Sequence, residues 1–214
     1  MTTTLRFLTT VSDNGGPPVG LAAVTVTRFE IASRRLTGRV RRQVETLLAQ
    51  LQAGDISYQQ FVAEAVGAIV QAQARAASIG DVGMAALLTR QLGRLVPPVG
   101  LGPTRADPAR MRRALRTWWI AAPVTVGLWE SRKARLGRIA VAETAAQLQD
   151  TMQQAMVRQG VRGWVRATDV NPCPLCIELA DGKVRPVTVK MARHEACVCW
   201  PQPATLRESV PVTG

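Results

Sequence analysis

The residues best suited to chemistry lie close together near the end of the chain. Cys173 and Cys176 form a C-x2-C pair, and His194, Cys197 and Cys199 follow as H-x2-C-x-C. They include all four cysteines of the protein and its only histidine. Thiolates and an imidazole at these spacings are typical of a tetrahedral metal site, and Zn²⁺ is the ion that this donor set favours. The sequence therefore predicts a zinc site made by four of these five residues, without fixing which four.

The composition of this cluster favours a structural zinc over a catalytic one. A catalytic zinc keeps one coordination position for water and has an acid or base nearby. Here the thiolates are numerous enough to close the coordination shell, and the chain has no second histidine. We expect the ion to fold a segment that is too short to build its own core.

Disulfides or free thiols are the alternative use of the four cysteines. The first residues contain no apolar core of a signal peptide and no small-residue cleavage site, which favours a cytoplasmic origin and reduced thiols. Cys197 and Cys199 are also too close in sequence to bridge each other without strain. Both observations favour the metal site.

A strong basic charge is the second signal. The chain has 27 Lys and Arg residues against 15 Asp and Glu, for a net charge of +12. Such an excess predicts an anionic partner, most simply nucleic acid. Because no RNP-type aromatic motif or zinc-finger recognition helix is present, we expect non-specific phosphate contact rather than base readout. The candidate contact residues lie on three segments and are Arg34, Arg35, Arg39, Arg41 and Arg42, then Arg110, Arg112, Arg113 and Arg116, then Arg132, Lys133 and Arg135.

The spacing of apolar residues predicts helices over much of the chain. Between residues 36 and 51 they recur every three or four positions, and Gly54 then ends the first helix. The Ser57 to Gln60 segment has the pattern of a capping box that begins a second helix. Two long helices joined by a short turn predict an antiparallel hairpin. We expect the second helix to end near residue 78 and a shorter one to occupy 80–95.

The residue pattern changes twice in the second half of the chain. After the Pro/Gly-rich stretch, Asp107 and Pro108 predict the start of a helix that reaches about residue 122. Another helix is expected from about 124 to Gln159, with a bend near Gly137. Alternating residues then predict strands over 161–168, 184–189 and 198–202.

These patterns predict a mainly α protein. Long helices form a hairpin and bundle, and a small zinc-stapled, β-rich C-terminal module follows. No apolar run reaches membrane-spanning length. The predicted segments are a flexible N-terminal arm over 1–20, a helical region over 21–96, a linker over 97–106, a domain of helices and a small sheet over 107–203, and a tail over 204–214.

The run from Arg138 to Pro201 carries a motif set in a recognisable order. A helix signature is followed by a Trp/Asp strand, a C-P-x-C segment with a following glycine, and the final H-x2-C-x-C group. This run resembles the phage head-morphogenesis, or Mu F-like (MuF), family of minor capsid proteins. Glu195 stands where proline is common in that family, and Val198 replaces the usual arginine between the last two cysteines. The signature positions matched outside the cluster are Arg138, Glu143, Trp164, Asp169 and Gly182.

The resemblance implies a component of a tailed-phage virion. Such proteins lie inside the capsid near the portal and take part in head assembly in the host cytoplasm. The implied partners are the portal protein, the major capsid or scaffold protein, and packaged double-stranded DNA. The basic charge agrees with a protein that faces DNA. From the residues themselves, we expect the chain not to be an enzyme, because its only histidine lies in the Cys/His cluster.

Two other functions remain open. A cytoplasmic zinc-dependent regulator that binds nucleic acid would show the same charge and cluster. A capsid maturation protease would need a base beside its nucleophile, and the only histidine lies in the cluster. That leaves a metal-free Cys176 and His194 pair as its one possible centre. We expect Glu143 to be an ion-pair or cap partner rather than a catalytic acid.

Overall fold

The computed structural model of the protein describes residues 4–7, 22–25, 28–120, 128–168, 172–194 and 197–204. The helices in these ranges are α1 (Arg28–Ala53), α2 (Tyr58–Leu92), α3 (Pro108–Ile120), α4 (Leu128–Arg158) and α5 (Pro174–Leu179). The strands are β1 (Thr4–Phe7), β2 (Ala22–Thr25), β3 (Gly163–Ala167), β4 (Arg185–Pro186) and β5 (Trp200–Ala204). The prediction of a mainly α protein with a small C-terminal sheet and a Cys/His cluster is confirmed. None of the described helices is both long and apolar enough to cross a membrane.

The predicted helical hairpin is formed by α1 and α2. Gly54 turns the chain with a φ of 83°, a conformation that glycine adopts without a steric penalty. Ser57 then caps α2: the Gln60 amide donates to Ser57 Oγ at 3.3 Å, and the Ser57 amide donates to Gln60 Oε1 at 2.8 Å. This reciprocal capping box satisfies two amides that the first helical turn leaves unpaired. Both features were predicted from the sequence.

The prediction that the second helix ends near residue 78 is wrong, because α2 continues without a break to Leu92. Gly80 and Gly83 are not breaks but points of close packing. A Cβ atom at Gly80 would lie 2.9 Å from the carbonyl oxygen of Leu148 in α4, and one at Gly83 would lie 2.2 Å from the ring of Phe29 in α1. These glycines therefore let α2 approach both neighbouring helices.

One hydrophobic core extends across the Pro/Gly-rich stretch at 97–106. It includes Phe61 and Ile69 of α2, Leu115 of α3 and Met152 of α4, all fully buried. The stretch itself is bound to α2, because the buried carboxylate of Asp81 accepts hydrogen bonds from three successive backbone amides. These belong to Val99, Gly100 and Leu101, at 3.0, 2.7 and 3.1 Å.

The N-terminal predictions are wrong where the structure describes those residues. Thr4–Phe7 lies in the segment predicted to be a flexible arm, and Ala22–Thr25 lies in the segment predicted to be helical. The two pair as antiparallel strands, with Thr4 opposite Thr25. The β-branched Val24 and Thr25 favour this extended backbone. The rest of the predicted arm and the tail beyond Ala204 lie outside the described residues.

The C-terminal sheet has the order β4-β3-β5, and both pairings are antiparallel. Of the predicted strands, the first is confirmed as β3. The third lies slightly later, at Trp200–Ala204, and the second is reduced to Arg185–Pro186. Both β5 and β3 contribute to the core shared with the helices, through Trp200 and Trp164. This packing places the loops that carry the cysteines beside α4.

Candidate metal centre

The five predicted ligands converge in space. The Nε2 atom of His194 lies 2.8 Å from Sγ of Cys176 and 3.3 Å from Sγ of Cys173. The Sγ atom of Cys176 also lies 3.6 Å from Sγ of Cys197 and 3.3 Å from Sγ of Cys199. All four cysteines are free thiols. Cys176 therefore joins two groups of potential ligands, one with Cys173 and His194 and one with Cys197 and Cys199.

The distances fit a tetrahedral, sulfur-rich metal site. Zn–S bonds of about 2.3 Å and Zn–N bonds of about 2.0–2.1 Å imply ligand separations of about 3.8 Å for two sulfurs and about 3.6 Å for sulfur and nitrogen. The separations around Cys176, from 2.8 to 3.6 Å, are shorter than these values by less than an ångström. Small outward movements of the side chains would accommodate an ion. The cluster could thus hold a metal.

The first pair of ligands is positioned by the short helix α5. Cys173 is the N-cap residue, and its Sγ accepts a hydrogen bond from the amide of Cys176 at 3.4 Å. Pro174 occupies the first helical turn, where its fixed φ suits the helix and its missing N–H costs no hydrogen bond. The C-P-x-C sequence therefore turns both thiols toward the same point.

Burial and hydrogen bonding shift the pKa values of the Cys176 and Cys197 thiols in opposite directions. Burial raises the pKa of the Cys176 thiol to about 11, whereas a hydrogen bond from Cys199 lowers the pKa of Cys197 to about 5. The arrangement thus favours a thiolate at Cys197. A bound divalent cation favours the thiolate form of each cysteine ligand, because thiolates bind metals and thiols do not.

A buried arginine that sequence analysis missed lies against the cluster. Arg166 of β3 is 8 % exposed, and its Nη1 lies 3.8 Å from Sγ of Cys197. Its Nη2 donates to the backbone carbonyl of Ala192, two residues before His194. Arg166 therefore offsets part of the negative charge that several thiolates would bring, and it also holds the loop that presents the histidine.

Two glutamines of α4, also missed, attach the segments that carry His194, Cys197 and Cys199 to the helical bundle. Nε2 of Gln149 donates to the carbonyl oxygens of Cys197 and Cys199, at 3.3 and 2.6 Å. One turn later, Nε2 of Gln153 donates to the carbonyls of Val187 and Val189, both at 2.7 Å. Their spacing of four residues is the available sequence signal, because it places both side chains on the same helical face.

An ion pair strengthens the same contact. Asp150 of α4 accepts hydrogen bonds from Arg193, the residue before the histidine ligand. Asp150 also lies 3.4 Å from Arg105 Nη1 in the segment that precedes α3. The helix thus contacts the module through polar side chains from two successive turns.

The positions matched to the MuF-like signature lie in different parts of the fold. The indole N–H of Trp164 donates to the carbonyl of Val189 at 2.9 Å, and its ring is buried. Gly182 has a φ of 72° in the turn after α5. Arg138 lies on the exposed surface of α4. Asp169 lies outside the described residues.

The prediction that Glu143 serves as an ion-pair partner is confirmed. Its two carboxylate oxygens accept hydrogen bonds from Arg110 at 2.9 and 2.6 Å, and Gln73 donates to one of them at 3.1 Å. Burial alone would raise the pKa of Glu143. The hydrogen bonds and charge of Arg110, with those of Arg105, outweigh burial and hold that pKa below its usual value.

The structure separates the predicted basic contacts into two sets. Arg110 is paired with Glu143, and Arg41 with Glu45 at 2.8 Å. Arg132 is only 9 % exposed, and its guanidinium lies 3.9 Å from the ring centre of Trp119. These three make internal contacts, and Arg34 is half-buried. The exposed remainder is Arg35, Arg39, Arg42, Arg112, Arg113, Arg116, Lys133 and Arg135.

Comparison of the chain with protein-family models, with curated proteins and with solved structures gives no match. What the chain does must therefore follow from its own residues and contacts. The two features that bear most directly on function are the Cys/His cluster attached to α4 and the exposed arginines of the helices.

Proposed function

We propose that this chain is a minor capsid protein of a tailed phage. In this proposal it acts in head assembly beside the portal, inside the capsid. A structural Zn²⁺ holds its C-terminal module, and its exposed arginines contact packaged double-stranded DNA without sequence specificity.

The observation that carries the proposal is that the three parts of the MuF-like signature form one structural unit. They are α4 with Glu143, the β3 strand with Trp164, and the Cys/His cluster. Val189 links α4 and β3, because its carbonyl accepts hydrogen bonds from both Trp164 and Gln153 of α4. Gln149 of α4 in turn donates to the carbonyls of Cys197 and Cys199 in the cluster.

A structural role for zinc is supported by the makeup of the module. Among its described residues from 172 onward, Met191 and Trp200 are the large buried hydrophobic side chains outside the cysteines. Both belong to the core shared with the helices, so the described residues from 172 onward form no separate hydrophobic core apart from the cysteines. Metal binding supplies folding free energy directly in such modules. The thiolate-rich donor set favours Zn²⁺ over the oxygen-preferring Mg²⁺ and Ca²⁺.

The proposed DNA contact is supported by the positive charge of the protein and not by an element that recognises bases. The net charge is +12, and nine of the predicted basic contacts, including the ion-paired Arg41, remain exposed after folding. Exposed arginines attract a polyanion and release its counterions, which yields sequence-independent binding. We therefore expect weak, strongly salt-dependent affinity.

The Cys176 and His194 pair, 2.8 Å apart, is the observation that favours a protease instead. A cysteine nucleophile must be an accessible thiolate. Cys176 is 2 % exposed, and burial raises its pKa to about 11. Two further thiols also lie within 3.6 Å of it. These surroundings suit a ligand better than a nucleophile.

Quantitative mass spectrometry of purified, nuclease-treated particles of the phage that encodes the chain tests the proposed function. We expect a few copies per particle relative to the portal and major capsid proteins. Complete absence from mature particles and from assembling proheads would contradict a capsid role. High-affinity binding to one DNA sequence would then support the zinc-dependent regulator.

A further inference from the structure

A groove between α1 and α2 brings together arginines from both helices. Arg35 and Arg39 line one wall, and Arg75 lines the other. The apolar residues Leu36 and Ile79 also line this groove, which is widely open to solvent and spans about 600 Å³ with its mouth included. Arg75 was not among the residues that the sequence singled out.

Like Arg112, Arg113 and Arg116 of α3, these three arginines have no acidic ion-pair partner among the described residues. They differ from the α3 arginines because they line one groove. Arg41 pairs with Glu45, and Arg110 with Glu143. No carboxylate of the described residues lies within ion-pair distance of the three arginines in the groove. Like charges gathered around one opening repel each other, and an anion bound between them would relieve that repulsion.

The arrangement suits phosphate in particular. A guanidinium presents a planar fork of N–H donors that pairs with phosphate oxygens in a bidentate manner. Arg35 and Arg39 are one helical turn apart, about 6 Å along the axis, and Arg42 continues the same exposed face beyond the groove. A row of cations that extends past the groove fits a chain of phosphates better than a single small anion.

We propose that the groove lined by Arg35, Arg39 and Arg75 binds the phosphate backbone of double-stranded DNA. This inference rests on the proposed function and assigns its DNA contact to one surface. The α1–α2 hairpin then faces DNA, while the Cys/His module docks on the bundle through α4. Binding needs no base contact, so unrelated sequences should bind equally.

The test is a salt titration of DNA binding by the full chain, monitored by fluorescence anisotropy with two labelled duplexes of unrelated sequence. The groove variant is R35Q/R39Q/R75Q. The matched control is R112Q/R113Q/R116Q, which removes the same charge from the exposed face of α3. We expect the groove variant to reduce the slope of log Kobs against log salt by about 2 to 3, since each phosphate contact contributes about 0.9. The control should reduce it much less, and circular dichroism should show both variants folded.

Two outcomes would overturn the groove assignment. They are equal losses in the two variants and a larger loss in the α3 variant. Particle mass spectrometry separates this test from that of the proposed function. If the protein is present in particles but the groove variant binds DNA normally, only the groove assignment is refuted. If the protein is absent from particles but its DNA binding depends on the groove, only the capsid role is refuted.

Discussion

Gln149 of α4 donates a hydrogen bond of 2.6 Å from Nε2 to the backbone carbonyl of Cys199. The same amide group lies 3.3 Å from the carbonyl of Cys197. One buried side chain of the helical bundle thus fixes the backbone on both sides of Val198, between two candidate ligands. The position of the metal cluster and the packing of α4 are therefore coupled.

Replacing Gln149 by alanine should weaken metal binding without unfolding the bundle. Loss of an outer contact that orients ligands usually costs about 10- to 100-fold in metal affinity. Competition with a chromogenic chelator measures that affinity. Gln154→Ala is the matched control, because Gln154 lies on the same helix and makes no hydrogen bond to the described residues of either loop. Equal affinities for the two variants would show that Gln149 does not position the ligands.

Replacing Cys173 or Cys176 by serine should release the metal and unfold the C-terminal module. Serine is a poor zinc ligand, and the module has few large buried side chains to hold it together. Helical signal from α1 to α3 should largely persist, because their core lies apart from the cluster. Elemental analysis and circular dichroism measure both effects. Unchanged metal content and thermal stability in both variants would rule out a structural metal.

The cluster and the α1–α2 hairpin could be predicted because their signals are local. Cys173 and Cys176 are three residues apart, and the capping box at Ser57 spans four positions. Patterns of this kind depend on the backbone geometry of one segment. Tertiary contacts are needed only to bring the second ligand group, beginning at His194, to the first.

The missed features depend on pairs of residues that are far apart in sequence. Gln149 meets Cys199 across 50 positions, and Arg166 meets Cys197 across 31. A single glutamine or arginine carries no periodic signal that predicts such a partner. The break predicted near residue 78 failed for the same reason, since Gly80 serves contact with α4 rather than local turn formation.

The ion pair between Glu143 and Arg110 should make stability depend on pH in the acidic range. The pKa of Glu143 is lower in the folded protein than its usual value, so the pair stabilises the fold above the unfolded pKa, about 4.3. That contribution is lost as pH falls through the lower, folded pKa. Glu143→Gln should cost about 1–3 kcal/mol at neutral pH and progressively less below pH 4. Urea unfolding at several pH values measures the difference from the unmodified protein.

Glu64→Gln provides the comparison for that experiment, because Glu64 is an exposed carboxylate on α2. Its replacement should change the free energy of unfolding by less than about 0.5 kcal/mol at any pH. If the Glu143 variant lost the same stability at pH 3 as at pH 7, the ionised pair could not be the source of its effect.

Gly83 should tolerate no side chain, whereas Gly67 on the same helix should accept one. An alanine Cβ at Gly83 would lie 2.2 Å from the Phe29 ring, and that ring packs edge-on against Trp200 of β5 with a centroid separation of 6.0 Å. Because the ring cannot move away freely, Gly83→Ala should destabilise the protein by about 1–3 kcal/mol through overpacking. Gly67 is exposed, and a Cβ atom added there would meet no described atom within 4 Å, so Gly67→Ala should stabilise α2 by about 0.5–1 kcal/mol. Thermal unfolding measures the change in stability of each variant. If Gly83→Ala stabilised the protein as Gly67→Ala does, α2 and α1 could not pack as closely at Gly83 as the structure shows.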